Sequence, residues 1–444
     1  MKLKFNLEGE NTMFEWLEER LMGPLGKIAQ NKYLQAIRDA FVIFALPVII
    51  TGSIFLIIAN PPDTLNWGII NAWVDAVEPI QGQLLFPFNL TFGLMALVVA
   101  FGVGYSLAIR EDLDAVMAGM LSMLAFFMTA FPVVDIEEEV SFGDILPYLG
   151  DQGLFVAIIL GILTTEAMRF LVNKGFTFEM PAGVPPYVMR TFRALVPFMI
   201  ILPLTWAIAW IVWANFNVTI PQAVLEIFSP LVSASNSYLA ALGMILLMLV
   251  LWSIGIHGMN VVSSVAYPFW MTQLAENADA VKAGGEASGI VTEPFFHMFT
   301  HIGGSGATWG LVIFMLFSAS TQLKQVGKTV IIPTIFNINE PVIFGVPIVL
   351  NPMLIIPFVL GPVVIVTLNY ILFATGVLPP VILQPPFTVP VFFGGFLATG
   401  GSWLAGIVQI INAAIAAIIY WPFFKKYEQQ LVAQEKNESE PENS

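Results

Sequence analysis

Long apolar runs separated by short polar connections occupy most of the sequence between residues 37 and 423. Several of these runs reach the roughly 20 residues that an α-helix needs to cross a bilayer. The pattern predicts ten spans, at about 37–59, 88–109, 114–134, 153–172, 194–216, 238–256, 259–275, 306–322, 352–375 and 401–423. It therefore predicts an all-α polytopic membrane protein.

Two apolar segments are too short and too polar to cross a bilayer as simple helices. They lie near 287–304 and 330–347, and each contains a glutamate followed by proline, at Glu293 and Glu340. Broken backbone at membrane depth is tolerated where it is buried in protein or lines a watery cavity, and transporters use such paired segments for binding. We expect two re-entrant hairpins. The alternative, that Glu340 ends a helix at the aqueous interface, stays open.

The two ends of the chain are predicted to lie in the cytoplasm. Lys32 and Arg38 flank the first span and Lys425 follows the last one, which fits the positive-inside rule. Residues 1–30 alternate apolar and charged positions, as expected of an amphipathic segment at the membrane surface. Residues 428–444 are polar and are predicted to be a disordered cytoplasmic tail.

Composition narrows the classes of function. With 57% hydrophobic and 11% charged residues, the chain is not an ordinary soluble domain. Its net charge of −14 argues against binding to nucleic acid. The chain has no cysteine, which excludes disulfides, thiolate metal sites, cysteine nucleophiles and a cysteine-borne phosphoryl group within it. Such chemistry would have to come from a partner, and we predict no cofactor.

The second hairpin and the sequence before it carry candidate chemistry for a hydroxylic solute. Asn337, Asn339 and Glu340 offer two amides and one carboxylate. His257 lies beside Gly258, and a neutral imidazole can both donate and accept a hydrogen bond. Trp252 could stack on the face of a sugar ring. Purely structural roles for His257 and Trp252 stay open.

The first hairpin carries a second set of polar groups. His297 and His301 are four residues apart and would share one face of a helix. A metal site needs three or four ligands, so we predict none here. Gly303 and Gly304, in the run HIGGSGATWG, could expose backbone amides, although the run lacks the GK[ST] ending of a phosphate loop.

Five ordered motifs resemble a known family. They are MPAGVPPYV (180–188), GIHG (255–258), HIGGSGAT (301–308), NINEPVIFG (337–345) and FLATGG (396–401). Together they resemble enzyme IIC, the membrane component, of the lactose/cellobiose/diacetylchitobiose branch of the bacterial phosphotransferase system. The resemblance runs from about residue 13 to residue 426 and is closest to the diacetylchitobiose- and cellobiose-type permeases.

The resemblance implies an elevator-type transporter in the bacterial cell membrane. Residues 31–232 would form a scaffold and dimerisation domain, giving a homodimer, and residues 233–427 would form the substrate-binding transport domain. The substrate would be a β-linked disaccharide, phosphorylated at a 6-hydroxyl on the cytoplasmic side. The donor would be a phosphocysteine of a separate enzyme IIB, which receives its phosphoryl group through enzyme IIA.

The resemblance also implies roles for single residues. Glu340 and His257 match the positions that hold the reacting hydroxyl, and Trp252 matches an aromatic at the sugar. Phe387 stands where a Trp is expected, which keeps a stacking face but loses the indole donor. The predicted catalytic residues are Glu340 and His257, and the predicted substrate-binding residues are Trp252, Asn339, Asn337, Phe387, Glu293, His301, Gly303 and Gly304.

A second class of function stays open at this point. An ion-coupled sugar transporter could use Glu293 and Glu340 as proton or sodium sites. The neutral amides and glycines around these carboxylates favour hydroxyl binding and hence the group-translocating permease. An intramembrane hydrolase is disfavoured because the sequence offers no convincing pair of nucleophile and base.

Overall fold

The computed structural model describes residues 30–59, 68–131, 142–178, 186–346, 348–349 and 351–439, and every regular element in these ranges is helical. The amphipathic segment predicted for residues 1–30 lies outside the described residues, apart from residue 30. The predicted all-α class is confirmed for the described part of the chain.

The helices of the first half are α1 (Lys32–Asp39), α2 (Leu46–Ala59), α3 (Gly68–Val77), α4 (Gln81–Gly93), α5 (Met95–Arg110), α6 (Ala115–Ala130), α7 (Phe142–Leu149), α8 (Leu154–Asn173) and α9 (Pro186–Phe216). A π-helical stretch, Ala40–Ala45, joins α1 to α2, and its last bond runs from Leu46 N–H back to Phe41 O. Pro47 follows at once and has no N–H to donate, so the wider turn accommodates the proline without ending the helix.

The first half packs around α5, which contacts α1, α6 and α8, while α9 packs on α6. Small residues allow this close approach, because a Cβ on Gly161 would lie 2.7 Å from the side chain of Val103. Ser122 and Thr164 pair through their hydroxyls at 2.7 Å between α6 and α8. Small side chains and interhelical hydroxyl bonds are the usual devices of helices packed within membranes.

An ion-pair network fixes the start of α1 to the ends of neighbouring helices. The Lys32 ammonium donates to Glu111 and, at 2.8 Å, to Glu166, and Arg169 donates to Glu111 at 2.5 Å. The hydrogen bonds from Lys32 and then from Arg169 lower the pKa of the Glu111 carboxyl. The network therefore ties the start of α1 to the residue after α5 and to the last turns of α8.

The second half contains α10 (Ile220–Ser235), α11 (Tyr238–Ser253), α12 (Gly258–Lys282), α13 (Glu293–His297), α14 (Trp309–Leu316), α15 (Thr321–Ile335), α16 (Glu340–Gly345), α17 (Pro352–Ala374), α18 (Phe393–Ala398) and α19 (Trp403–Ser439). α19 packs along α14 and α17, and α17 also contacts α11. α12 lies against α11 and reaches across to α1, so it links the two halves of the chain.

Six described stretches are long and apolar enough to cross a membrane: Lys32–Leu56, Asn71–Arg110, Asp151–Asn173, Phe192–Phe216, Met353–Ala374 and Trp403–Lys436. A seventh is counted if α10 and α11, bent by 76° at their junction, form one span. By this measure the described residues hold fewer spans than the ten predicted. The predicted continuous span at 306–322 is wrong, since α14 ends at Leu316 and a new helix starts at Thr321.

The predicted disordered tail from residue 428 is wrong as far as Ser439, because α19 runs without interruption to that residue. Residues 440–444 lie outside the described part. Glu428, which is buried, accepts hydrogen bonds from Ser318 Oγ at 2.6 Å and Ala319 N at 2.8 Å. Glu435 accepts from Ser320 Oγ at 2.7 Å. These tertiary contacts with the start of α15 stabilise the end of α19, which its polar composition alone would not stabilise as a helix.

Candidate functional site

The second predicted hairpin consists of α15, a sharp turn at Phe336–Asn339, and α16. Asn337 has φ of +60°, a left-handed conformation that asparagine tolerates better than most residues. Glu340 is the first residue of α16, and Pro341 follows it in the first turn, where the missing N–H costs nothing. The turn therefore places the Glu340 carboxylate at a helix start, with its side chain about half exposed at 46%.

His257 faces Glu340, with 3.6 Å between His257 Nε2 and Glu340 Oε1. The same histidine caps α12, because its Nδ1 accepts a hydrogen bond from Asn260 N at 3.2 Å. An Nδ1 that accepts carries no proton, so the neutral ring holds its proton on Nε2 and points it towards the carboxylate. The helix cap thus fixes the tautomer that faces Glu340.

Trp252 packs against His257 from the end of α11. The two ring centroids are 4.3 Å apart, and the planes are tilted by 46°. Trp252 is buried, and its indole Nε1 has no hydrogen-bond partner among the described residues. The tryptophan packs against the imidazole ring and supports it. Buried donors are nearly always hydrogen-bonded, so the unpaired Nε1–H is available to a bound molecule.

The first hairpin forms a second cluster around Glu293, the first residue of α13. Glu293 is buried, and Gln384 Nε2 donates to its Oε2. His297 Nδ1 lies 2.5 Å from Glu293 Oε1 across one turn of the helix. A buried carboxylate needs such polar partners, because an isolated one would pay a large desolvation cost.

His301 is 2% exposed, and neither of its ring nitrogens has a partner among the described residues. Its ring lies 6.2 Å from that of His297, which in turn lies 6.0 Å from the half-exposed ring of Phe387. A buried imidazole without hydrogen bonds is costly, and the remedy is a ligand or water that supplies them. His301 therefore has hydrogen-bonding capacity that a hydroxylic ligand or a water could satisfy.

Gly303 and Gly304 allow close packing of the backbone and do not expose their amides. Gly303 N donates to Asn337 Oδ1 at 2.9 Å, and Gly304 N donates to His301 O at 2.9 Å. Gly304 has φ of +94°, and a Cβ there would lie 2.3 Å from Asn339 Cγ. Their predicted role as amide donors to a substrate is not supported, because both amides are already bonded within the protein.

Asn339 is likewise occupied. It is buried, and its Nδ2 donates to Ser305 O at 2.5 Å and to Thr308 Oγ1 at 2.9 Å. These bonds tie the second hairpin to the turn of the first one. Asn339 thus holds Glu340 in place from the preceding position, and its donors are not free for a solute.

The predicted residues consequently form two neighbouring groups. Glu340, His257 and Trp252 make the first group, and Glu293, His301 and Phe387 make the second. Gln384 was not among the predicted residues, and its only signal in the sequence is a single amide within the apolar run VILQPPF. Among the described residues, no group of three or more His, Cys, Asp or Glu side chains is placed to hold a metal ion.

The first group can hold one hydroxyl in a defined way. A gap of 3.6 Å between Nε2 and Oε1 is too long for a good direct bond. A hydroxyl close to both atoms can accept from Nε2–H and donate its own proton to the carboxylate. The arrangement can therefore bind a hydroxyl and raise the nucleophilicity of its oxygen.

Comparison with known proteins gives one consistent family. The family model described as "Phosphotransferase system, EIIC" matches residues 38–362. The chain is 39% identical over 442 residues to the lichenan permease IIC component of Bacillus subtilis (strain 168), with 96% of each chain covered. It is 40% identical over 435 residues to the cellobiose-specific EIIC component of Geobacillus stearothermophilus, with 95% of each covered.

A solved structure is also similar along almost the whole chain. It is the transporter ChbC, the IIC component from the N,N'-diacetylchitobiose-specific phosphotransferase system, with a TM-score of 0.87 and 36% sequence identity. The match covers 95% of this chain and 99% of that one. The likeness therefore extends to both halves of the fold.

Proposed function

Because this chain belongs to the EIIC family of the phosphotransferase system, we propose that it imports a β-linked disaccharide and presents its 6-hydroxyl for phosphorylation. The cellobiose-specific and diacetylchitobiose-specific relatives support a sugar of one of these two types. An ion-coupled mechanism is not favoured, since the family is one of sugar permeases that work with phosphoryl donors.

The observation that carries this proposal is the gap between His257 and Glu340. The sugar hydroxyl accepts from His257 Nε2–H and donates to the Glu340 carboxylate. Its oxygen attacks the phosphorus of a phosphocysteine, so that an O–P bond forms, the S–P bond breaks, and the proton passes to Glu340. These 444 residues contain no cysteine, so the phosphocysteine is supplied by enzyme IIB, recharged through enzyme IIA.

The second group of residues binds the rest of the disaccharide. Phe387 offers an exposed aromatic face to one sugar ring, while Trp252 backs His257. His301 faces the hydroxyls of the second ring, which would supply the hydrogen bonds that this imidazole lacks. The buried Glu293 supports this side of the site through its contacts with Gln384 and His297. Asn337 and Asn339 hold the hairpins that carry these groups.

We propose that residues 31–232 form a scaffold through which two copies pair, and that residues 233–427 move as the transport domain. The packing of α5, α6 and α8 on one another, and of α17 on α11 and α19, supports this division. The membrane is the bacterial cell membrane, entered by two hairpins, with both ends of the chain in the cytoplasm. In this elevator, Glu340 travels from an outward to an inward position.

Reconstituted vesicles test the proposal. Purified protein is incorporated with its soluble phosphotransferase partners inside, and uptake of radiolabelled cellobiose and N,N'-diacetylchitobiose is measured with phosphoenolpyruvate or with an imposed proton or sodium gradient. We expect sugar phosphate to accumulate only when phosphoenolpyruvate and enzyme IIB are present. Accumulation of unmodified sugar driven by a cation gradient would overturn the proposal.

A further inference from the structure

Asn337 makes three side-chain hydrogen bonds to two segments far from it in sequence. Its Nδ2 donates to Phe387 O and to Val389 O, both at 2.9 Å, and its Oδ1 accepts from Gly303 N at 2.9 Å. Both amide protons are used, so the side chain has no donor left for a sugar. We refer to these three bonds as the Asn337 clasp.

The position itself restricts which residue can form the clasp. Asn337 lies just past the end of α15 with φ of +60°, and its N–H donates to Thr334 O at 3.0 Å. Helix ends of this kind favour glycine or asparagine. Glycine has no side chain to bond with, and aspartate of the same size has no donors for the two carbonyls. Asparagine alone satisfies both the backbone and the clasp.

The clasp joins three segments that carry different parts of the proposed site. Glu340 is three residues after Asn337, His301 is two residues before Gly303, and Phe387 carries both a bonded carbonyl and the exposed ring. Asn339 connects only the two hairpins, since its partners are Ser305 and Thr308. The clasp is thus a direct link from the reacting carboxylate to the loop that bears the stacking ring.

We propose that Asn337 is a positioning residue that fixes the Phe387 ring relative to the Glu340 carboxylate, and thereby brings the 6-hydroxyl of a stacked sugar onto that carboxylate. This inference rests on the proposed function. Asn337 would act by aligning the sugar hydroxyl with the carboxylate, because a reacting group misplaced by about 1 Å can cost roughly 10²-fold in rate. Asn337 itself contacts no reacting atom.

The test separates turnover from binding. Asn337→Gly keeps the left-handed backbone and removes the clasp, and Asn337→Asp keeps the size and removes the donors. For each we measure the dissociation constant of cellobiose and the kcat of enzyme IIB-dependent phosphorylation. We expect kcat to fall on the order of 10- to 100-fold while the dissociation constant changes much less.

A double-mutant cycle with Phe387→Ala shows whether the effect passes through the ring. In that background, Asn337→Gly should cost at most a few-fold in kcat, because there is no ring left to position. Asn236 provides a matched control, since its side chain also joins segments by bonds to Ser288 O and Ile290 N. Asn236→Gly should lower thermal stability and leave kcat near the wild-type value.

Two outcomes would overturn the proposed positioning role of Asn337. One is an equal loss of kcat from Asn337→Gly with and without the Phe387 ring. The other is a fall in melting temperature and in sugar affinity with kcat unchanged, which is the behaviour of a purely structural residue. Failure of the proposed function is distinct, because then the wild-type protein itself would support no enzyme IIB-dependent phosphorylation.

Discussion

The two glutamate–proline pairs of this protein have the same local structure and different surroundings. Glu293 and Glu340 each open a short helix, with the proline in its first turn. Glu293 is 2% exposed and contacts Gln384 and His297. The Glu340 side chain is 46% exposed and faces His257 across 3.6 Å. The dipeptide decides how the backbone starts a helix, and tertiary neighbours decide what the carboxylate can do.

This difference assigns the two carboxylates to different tasks. A buried carboxylate whose oxygens already contact protein groups is held in place and contributes to the structure around it. A half-exposed one beside an imidazole N–H can receive a proton from a bound hydroxyl. Substitutions at the two positions should therefore affect different measurements.

The largest expected effect is on turnover at Glu340. Glu340→Gln removes the proton acceptor and keeps the size of the side chain, so enzyme IIB-dependent phosphorylation of cellobiose should fall by about 10²–10⁴-fold. The melting temperature in detergent should stay near the wild-type value, because the site is half open to solvent. Phosphorylation at the wild-type rate would remove Glu340 from the reaction.

Substitution of Glu293, in contrast, should mainly lower the stability of the folded protein. Glu293→Leu removes the buried carboxylate that accepts from Gln384 Nε2 and lies beside His297 Nδ1, and the loss of a hydrogen bond to a charged group should cost about 1.5–3 kcal/mol. Glu293→Gln keeps an acceptor and serves as the matched control with a much smaller loss. Thermal unfolding in detergent measures both. If Glu293→Leu unfolds like the wild type, the buried role is wrong.

The helix that leads to Glu340, α15, is stabilised at its start by contacts with Glu428 of α19. Glu428→Ala removes the acceptor for Ser318 Oγ and Ala319 N next to the start of α15, the helix that leads to Glu340. Hydrogen bonds to a charged group contribute about 1.5–3 kcal/mol, so the free energy of unfolding should fall by roughly that amount. Gln434→Ala, at an exposed position of the same helix, should change it little. Equal effects of the two variants would contradict the contact.

The smallest expected effect is on binding at His257. His257→Ala removes one hydrogen bond to the sugar and should weaken cellobiose binding by about 0.5–1.5 kcal/mol. His257→Asn keeps a good N-cap for α12 and should give the same loss, which separates sugar contact from helix capping. Isothermal titration measures the dissociation constants. Unchanged affinity in both variants would make His257 a structural residue.

Much of this architecture follows from local sequence, and the exceptions have a common cause. Uniform apolar runs predicted α2, α8, α9 and α17, and the polar centre of 330–347 predicted a broken segment that the structure places at Phe336–Asn339. The end of α19 was missed because its helix is held by contacts with residues more than 100 positions earlier. The clasp was missed for the same reason, since Asn337 and Phe387 are 50 residues apart and no local pattern marks their contact.

α19 also offers a mechanical consequence. Its 37 residues make a rod of roughly 55 Å, well beyond the hydrocarbon thickness of about 30 Å. The rod is attached deep in the fold by Tyr420, which donates to Gly306 O at 2.9 Å, and near its far end by Glu435. We therefore expect a displacement of the glycine-rich turn to be passed along α19 towards Glu435. The sequence contains no cysteine, so a single cysteine introduced near Glu435 could be labelled specifically with a fluorophore. The fluorescence would then report such a displacement during sugar transport.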